Sequence, residues 1–276
     1  MQSNSSSVRN VIVTGANKGI GYAVIDSLMA GSVPYNIVLT SRDEKRGEEA
    51  AAKLKEKHKD SKCSLRVEQL DVIDSASVKH FLDRIVASLK TIDVLVNNAG
   101  INIKNADIQQ KLDVLNTNFL STVSLTEQIL PHLAKDGKII MVSSRAGLLS
   151  SQGAAVQEIL KDSTLDEKRL MDLSGKLYEH YELGNNNELG FSNDSYSDSK
   201  VLLNAYTRWV LKPKLAGDQQ CFAMTPGHCR TDMGGDKAPR SAEEGVGTVI
   251  YLVNLPFKRN DDLNGQFIGD RQVIDF

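Results

Sequence analysis

The segment Thr14-Gly-Ala-Asn-Lys-Gly-Ile-Gly21 follows the short apolar run Asn10-Val-Ile-Val and leads into residues with helical spacing, from Ile20 to Ala30. Its glycines are spaced G-x-x-x-G-x-G. Because glycine has no side chain, such a strand-to-helix turn lets backbone N–H groups approach a pyrophosphate. The glycine spacing alone is weak, since any tight turn favours glycine. Its place directly after an apolar strand predicts a dinucleotide site.

Outward from this turn, apolar strands alternate with helical segments through the first half of the chain. Strands are predicted at residues 37–40, 65–70, 93–97 and 138–142. Helices are predicted at 44–58, at 75–89 with Ser75 as N-cap, and at 108–133 as mostly one long helix. This alternation is typical of an α/β fold, a Rossmann-type doubly wound parallel sheet covered by helices on both faces.

The alternation stops at Ser150 and resumes at Ser195. Residues 150–194 are polar and helix-prone, which predicts a helical insert of about forty residues. After it we expect a helix from Ser195, a strand at 221–225, a helix at 242–255 and a last strand at 266–268. The whole chain, 1–276, is interpreted as one domain that carries this insert.

Composition excludes several classes of partner. A formal net charge of −2 over 276 residues gives no basic surface for nucleic acid or anionic lipid. The 3 cysteines and 5 histidines show no metal-ligand spacing, so no metal is expected. No apolar run approaches the length of a membrane span. The expected partner is a small molecule, and the expected location is the cytoplasm.

The end of the second predicted strand indicates which dinucleotide is bound. NAD-binding proteins usually place a carboxylate there for the ribose 2′-OH, whereas this chain has Ser41 and Arg42, with Lys18 in the glycine turn. Two cations at this place favour the 2′-phosphate of NADPH/NADP+. The alternative is that both are merely exposed charges. Asp43 is interpreted as the cap of the next helix.

Tyr196 and Lys200 lie four residues apart in Y-S-D-S-K, which places both side chains on one face of a helix. The ordinary pKa of tyrosine, about 10, is too high for efficient proton transfer at neutral pH. We expect the Lys200 ammonium, together with the positive nicotinamide of an oxidised cofactor, to lower the pKa of Tyr196. A hydride carrier beside a proton donor is the equipment of a carbonyl reductase.

With these residues in view, the chain resembles the short-chain dehydrogenase/reductase family over essentially its whole length. The resemblance rests on motifs in a fixed order rather than on any one of them: Thr14–Gly21, Asp71, Asn97–Gly100, Asn118, Val142–Ser144, Tyr196–Lys200, Pro226–Gly227 and Thr231. Between Ser144 and Tyr196 stand 51 residues, where most members have a much shorter segment. Such an insert resembles the monomeric carbonyl reductase branch, and plant ketone reductases carry a similar one.

The resemblance implies roles for individual residues. Ser144 would polarise the substrate carbonyl, and Ser143 would be structural. Asn118 would kink its helix and hold a water linked to Lys200. Asn97 would stabilise the sheet. The residues implied in cofactor binding are Gly15, Asn17, Lys18, Gly19, Ile20, Gly21, Ser41, Arg42, Asp71, Val72, Asn98, Ala99, Gly100, Tyr196, Lys200, Pro226, Gly227 and Thr231.

The substrate pocket is the least determined part of the site. His228 and Met233 could line it, or the loop after Pro226 could leave His228 in solvent. Arg145, directly after Ser144, could favour an anionic or polar substrate, or it could simply be exposed. Cys229 is interpreted as an inert loop residue rather than a reactive thiol.

The sequence thus favours NADPH-dependent reduction of a ketone, aldehyde or quinone to the alcohol. Two alternatives stay open: an NADP-dependent alcohol dehydrogenase acting on a terpenoid or alkaloid alcohol, and a non-catalytic NADPH-binding regulator. The intact set of Ser144, Tyr196, Lys200 and Asn118 argues against the regulator. Because the insert could cover the apolar surface that tetrameric relatives bury between subunits, we expect a monomer.

Overall fold

In the computed structural model, which describes residues 8–184 and 189–276, eight strands form a single sheet in the order β3-β2-β1-β4-β5-β6-β7-β8. The strands are β1 Arg9–Val13, β2 Tyr35–Ser41, β3 Ser64–Gln69, β4 Ile92–Asn97, β5 Leu133–Val142, β6 Gln220–Thr225, β7 Phe267–Gly269 and β8 Gln272–Ile274. The first seven are parallel to their neighbours, and β8 returns antiparallel to β7.

Helices cover both faces of this sheet. They are α1 Gly19–Ala30, α2 Glu44–Lys57, α3 Ser75–Ser88, α4 Ile108–Leu115, α5 Ser121–Ile129, α6 Ala154–Lys161, α7 Glu167–Leu183, α8 Ser195–Ala205, α9 Lys212–Lys214, α10 Ala242–Gly245 and α11 Gly247–Asn254. Within β1, Ile12 belongs to the core cluster on one face of the sheet, whereas Val11 and Val13 belong to the other. Strands buried on both faces read as continuous apolar runs, which is why the sequence pattern predicted a parallel sheet.

The α/β doubly wound fold is confirmed, and several local predictions need correction. The cap of α3 is Asp74, whose carboxylate accepts a hydrogen bond from the Ala76 N–H, rather than Ser75. The predicted long helix at 108–133 is α4 and α5 joined by a π-helical segment, Asn116–Leu120, and it ends at Ile129. The helix predicted at 242–255 is divided at Val246 into α10 and α11. Strand β8 was missed because three residues are too short to show a period.

The insert packs against helices on both sides of it in the chain. Its helices α6 and α7 lie against α4 and α8. The Trp209 indole N–H donates to the Leu160 carbonyl at 2.8 Å, and Lys214 bridges Glu127 and Glu167, each at 2.7 Å. The asparagine run at 185–187, part of the predicted insert, lies outside the described residues.

Two further findings bear on partners. Within residues 8–184 and 189–276, no helix combines the length and apolar character needed to cross a bilayer. In those same ranges no three side chains of His, Cys, Asp or Glu come together as metal ligands.

Candidate active site

The turn between β1 and α1 requires glycine for two reasons. Gly15 and Gly19 have φ values of 61° and 60°, in the left-handed region that other residues adopt at a cost. A Cβ on Gly15 would lie 3.0 Å from the Cα of Ala99, and one on Gly21 would lie 2.5 Å from the amide nitrogen of Asn98. The turn is therefore pressed against the end of β4, with its backbone open on the other side.

Hydrogen bonds from Asn98 hold the glycine turn against the end of β4. Its side-chain amide donates to the carbonyls of Thr14 and Gly15 at 2.8 and 3.1 Å. The Thr14 hydroxyl accepts from the backbone N–H groups of Asn98 and Ala99, both at 2.9 Å. These residues therefore position the glycine turn, and their direct contact with a cofactor remains a prediction. Asn97 donates to Thr126 inside the core at 2.9 Å, in line with its predicted structural role.

A cleft of about 410 Å³ lies between the glycine turn and α2. Its lining includes Asn17, Lys18 and Gly19 from the turn, with Arg46 and Lys53 from α2. Arg46 and Lys53 were not singled out from the sequence. Their signal was available, because both lie in the segment predicted to be helical at 44–58, directly after the second strand. Glu49 also lines the cleft, so three cations and one carboxylate give this cleft an excess of positive charge.

The other predicted residues at this end have local partners. The Ser41 hydroxyl donates to the Asp43 carbonyl at 2.7 Å, and Asp43 caps α2 as predicted. Lys18 donates to the Asp232 carboxylate at 2.5 Å, and both side chains are exposed. Arg42 is exposed and meets no carboxylate among the described residues. Gly100 is held close to Asn118, since a Cβ there would lie 3.0 Å from its side-chain oxygen.

Asp71 and Val72 follow β3 at the same edge of the sheet. The Asp71 carboxylate accepts from the Ile73 N–H at 3.2 Å, and Val72 packs against the core. Ile20, the second residue of α1, packs against the cluster on the opposite face. Their cofactor contacts stay predictions.

Ser144, Tyr196 and Lys200 come together at the carboxyl end of β5. Asp194 caps α8 by accepting from the N–H groups of Tyr196 and Ser197. Lys200 is buried, and its ammonium donates to the Val142 carbonyl at 2.9 Å. That ammonium lies 5.7 Å from the centre of the Tyr196 ring. Ser144 is close enough to the Tyr196 side chain to lower its pKa in part, and the Ser144 hydroxyl accepts from the Ala146 N–H at 3.1 Å.

The titration behaviour of the pair differs from the sequence-based expectation. Desolvation raises the pKa of Tyr196, and the nearby Ser144 side chain only partly opposes this effect. Burial lowers the pKa of Lys200 to about 8. The part of the expectation that rests on an oxidised nicotinamide stays a prediction, whereas in this structure the net shift of the Tyr196 pKa is upward rather than downward. The physical reason is that the ammonium faces a backbone carbonyl while both groups lose hydration.

Asn118 lies in the π-helical segment, which is the predicted distortion of its helix. Its amide nitrogen donates to the Ile101 carbonyl at 2.8 Å and to the Ser199 hydroxyl at 3.1 Å. Its oxygen accepts from the Ile101 N–H at 2.8 Å. Asn118 thus joins the loop after β4 to α8, one residue from Lys200. The water predicted between Asn118 and Lys200 remains a prediction.

The loop after β6 approaches the glycine turn from the opposite side. Gly227 has a φ of 77°, and the Thr231 methyl would lie 3.7 Å from a Cβ on Gly19. Cys229 is buried and its thiol donates to the Pro226 carbonyl at 3.2 Å. Burial raises the pKa of this thiol, which agrees with an inert loop residue. Cofactor contacts of Pro226, Gly227 and Thr231 are not tested by this geometry.

The three residues assigned to the substrate pocket are all exposed. Met233 retains 40% of its accessible surface, and His228 donates from Nε2 to the Gly234 carbonyl at 2.8 Å. Arg145 extends towards Asp270, with 3.7 Å between the nearest nitrogen and oxygen. These contacts leave their role at the pocket open to test.

Asp198 is the important residue that the sequence reasoning missed. It is completely buried, and its carboxylate accepts from the Tyr181 hydroxyl and the Ser192 hydroxyl, each at 2.5 Å. The Ser192 N–H adds a third bond at 3.0 Å. Burial still raises the pKa of Asp198. A carboxylate between Tyr196 and Lys200, in a helix otherwise lined by small residues, was the available signal.

Comparisons with known proteins agree with this geometry. A family model described as short chain dehydrogenase matches residues 9–156. The relative named carbonyl reductase (NADPH) 1 from Sus scrofa is 36% identical over 283 residues, covering 99% of this chain and 96% of the relative. The chain therefore belongs to the short-chain dehydrogenase/reductase family.

Solved structures give the same result at the level of the fold. Salutaridine reductase from Papaver somniferum has a TM-score of 0.83 at 28% identity, with 95% of this chain and 99% of that chain covered. The NADPH-bound carbonyl reductase from chicken fatty liver has a TM-score of 0.70 at 28% identity, covering 98% and 94%. The agreement extends over the insert as well as the sheet.

Proposed function

We propose that this protein is an NADPH-dependent reductase that converts a ketone, aldehyde or quinone carbonyl to the alcohol. The observation that carries the proposal is the meeting of Ser144, Tyr196 and Lys200 beside the glycine turn. The relatives named carbonyl reductase (NADPH) support the same reaction, since they align with this chain over nearly its full length.

The residues present fit a phosphorylated dinucleotide. The glycine turn leaves its backbone uncovered, and Lys18, Arg46 and Lys53 line the adjoining cleft. Arg42 would add a planar donor for the 2′-phosphate, while Tyr196 and Lys200 would hold the nicotinamide ribose. When bound, NADPH supplies the hydride.

The protein's own residues supply the proton and hold the carbonyl in place. Desolvation raises the pKa of Tyr196, so its phenol keeps the proton needed for a developing alkoxide. Ser144, which lies near the Tyr196 side chain, would donate to the same oxygen as one member of an oxyanion hole. Lys200 would stabilise the tyrosinate left after proton transfer, because its ammonium is close and poorly hydrated.

The similarity to salutaridine reductase favours a bulky plant-type alkaloid or terpenoid ketone as a second substrate class. An NADP-dependent alcohol dehydrogenase would use the same residues in the reverse direction. A regulator that only binds NADPH would need none of the three catalytic side chains.

The first test follows the absorbance of NADPH with quinones, aromatic ketones, aldehydes and terpenoid ketones. We expect turnover, and we expect Tyr196→Phe to lower kcat by about 10²–10⁴-fold while it still binds NADPH. Tyr251→Phe, on α11, is the matched control and should keep its activity. Turnover that survives in Tyr196→Phe would contradict the mechanism, and NADPH binding without any turnover would favour the regulator.

Cofactor choice is tested separately. Arg42→Met should lower the ratio of kcat/KM with NADPH to kcat/KM with NADH by about tenfold or more, because a charge-assisted contact to the 2′-phosphate is lost. Lys45→Met, at an exposed position on α2 outside the cleft, controls for the change in charge. An unchanged ratio in Arg42→Met would remove Arg42 from the proposed site.

A further inference from the structure

Arg145 is an exposed cation directly attached to the predicted carbonyl-polarising residue. Ser144 ends the strand segment, and its side chain caps the short 3₁₀ turn Arg145–Gly147. A Cβ on Gly147 would lie 2.6 Å from the Lys200 backbone, so this turn is pressed against α8. The backbone that carries Arg145 is therefore held rigidly beside the catalytic groups, although its side chain is free to extend into solvent.

Arg145 approaches a carboxylate whose bonds are already taken by another arginine. Arg240 binds Asp270 through two parallel hydrogen bonds, at 2.5 and 3.0 Å. Arg145 comes no closer than 3.7 Å to Asp270 and donates no side-chain hydrogen bond to any described residue. Because a planar guanidinium carries five N–H donors, Arg145 has most of its binding capacity unused.

The location of these three side chains is also informative. Ser144 follows β5, Arg240 ends the loop after β6, and Asp270 follows β7, so they lie at the carboxyl ends of three adjacent strands. The Arg240 guanidinium covers the Gly227 turn, since a Cβ on Gly227 would lie 3.0 Å from its Nη1. In open α/β sheets, ligands bind at this edge.

The acidic groups of the cluster act more on Arg240 than on Arg145. Arg145 and Arg240 contribute two positive charges and Asp270 one negative charge. The Arg240 guanidinium holds the pKa of Asp270 below its usual range, so the carboxylate stays ionised. Glu244 acts electrostatically on Arg240 as well, which leaves Arg145 as the cation with the least acidic surroundings.

We propose that Arg145 is a specificity residue that binds an anionic group of the substrate, so that the preferred carbonyl compounds carry a carboxylate. This inference rests on the proposed reductase function. The guanidinium would bind the carboxylate through paired hydrogen bonds while the carbonyl oxygen lies at Ser144 and Tyr196. Asp270 and Arg240 hold the neighbouring turn, and Arg240 already binds both oxygens of the Asp270 carboxylate, which leaves the N–H donors of Arg145 available.

The test compares 4-carboxybenzaldehyde with its methyl ester, which differ in charge but share the reacting carbonyl. We expect a higher kcat/KM for the acid in the unmodified protein. Arg145→Met should reduce the acid-to-ester ratio by about tenfold or more and leave the ester unaffected, because only the acid loses a charge-assisted bond. Arg145→Lys should retain part of the preference, since it keeps the charge without the planar fork.

Arg271→Met is the matched control, because Arg271 is an exposed arginine next to Asp270 and changes the net charge equally. It should preserve the ratio. If Arg271→Met lowers the acid-to-ester ratio as much as Arg145→Met does, the preference reflects only the general positive charge of this surface, and the proposal is overturned. An acid-to-ester ratio that Arg145→Met leaves unchanged would also overturn it. Turnover of the ester without any preference for the acid defeats this inference alone. No turnover of either compound with NADPH bound defeats the proposed function, and the inference with it.

Discussion

At the scale of single residues, the surroundings of Lys200 determine how the site should respond to pH. Burial lowers its pKa to about 8, whereas desolvation moves the pKa of Tyr196 upward. Of these two groups, Lys200 is therefore the one that changes charge between pH 6 and 9, and the Tyr196 phenol remains a proton donor. This separation makes the two groups distinguishable in a kinetic profile.

We predict that kcat/KM for carbonyl reduction is level below pH 7 and falls above pH 8, approaching about tenfold per unit. The cause is loss of the ammonium that stabilises the tyrosinate. The measurement is initial velocity at saturating NADPH from pH 6 to 9.5. A profile that stays flat over this range would contradict the role assigned to Lys200.

The titration of Lys200 cannot cause this fall in kcat/KM by unfolding the protein. A lysine with a lowered pKa in the folded state binds fewer protons than it does in the unfolded chain between about pH 8 and 10.5. Its contribution therefore makes the free energy of unfolding rise with pH in that window. A thermal melt at each pH is the control, and activity loss without a fall in Tm would support the kinetic interpretation.

At the scale of elements, one buried carboxylate joins the insert to the catalytic helix. Asp198 lies on α8, and its donors Tyr181 and Ser192 come from α7 and from the segment that enters α8. Gln152, near the start of the insert, adds a further hydrogen bond. The position of Tyr196 therefore depends on contacts made by residues far from it in the chain.

Tyr181→Phe should lower the free energy of unfolding by about 1–3 kcal/mol, because a buried carboxylate loses a donor. Asp198→Asn should do the same, and the double variant should lose less than the sum. Urea denaturation of the four proteins measures this coupling. Tyr178→Phe, one turn earlier on α7, is the control and should be close to neutral. Additive losses would mean that the two groups do not act as a pair.

A second buried side chain, Lys138, joins β5 to the end of α11 by hydrogen bonds. The Lys138 ammonium donates to the carbonyls of Leu252, Val253 and Leu255 at 3.2, 3.0 and 2.5 Å. It also lies 3.9 Å from the centre of the Phe257 ring. These carbonyls lie at and just beyond the end of α11, where backbone acceptors lack the N–H groups of a further helical turn, although the Leu255 N–H reaches the Leu252 carbonyl at 3.4 Å. Lys138 thus occupies a core position that the sequence pattern would assign to an apolar residue.

Lys138→Met should cost about 2–4 kcal/mol of stability, because the change leaves buried carbonyls without a donor. The measurement is the urea midpoint with the slope held fixed. Lys135→Met, an exposed residue of the same strand, is the control and should change stability little. A variant as stable as the unmodified protein would show that water replaces the ammonium.

At the scale of the whole molecule, the insert covers surface that would otherwise be available to a partner subunit. Trp209 and Lys214 follow α8, and both bond to residues of the insert. Tetrameric relatives, by the family resemblance, pack the helices around Asn118 and Tyr196 between subunits. Here α7 lies against α4 and α8 within one chain.

We therefore predict a monomer of 30.3 kDa in sedimentation equilibrium, independent of concentration over the micromolar range. The physical reason is that the apolar faces of the helices are already buried by the insert. A native mass spectrum serves as the independent check. A stable dimer or tetramer would contradict the prediction and would require another surface to hold the subunits.

Much of the fold and of the candidate site followed from local sequence. The apolar runs, the glycine turn and the Tyr196–Lys200 spacing each reflect a period or a backbone constraint that a short segment carries by itself. Many element positions followed from the same patterns, whereas the order of the strands in the sheet is given by the structure. What local sequence could not provide was β8, because a three-residue edge strand has no measurable period.

By itself, the sequence determined the parallel α/β class, and it predicted the glycine turn as a dinucleotide site and Tyr196 with Lys200 as a proton-transfer pair. Only the tertiary structure decided that Asp198 ties the insert to α8, that Arg145 meets Asp270 and Arg240, and that desolvation raises rather than lowers the pKa of Tyr196. The physical reason is the same in each case. The hydration of a side chain and its contacts with distant residues depend on which distant segments pack around it and exclude water. The local periodicity of the sequence contains no information about those segments.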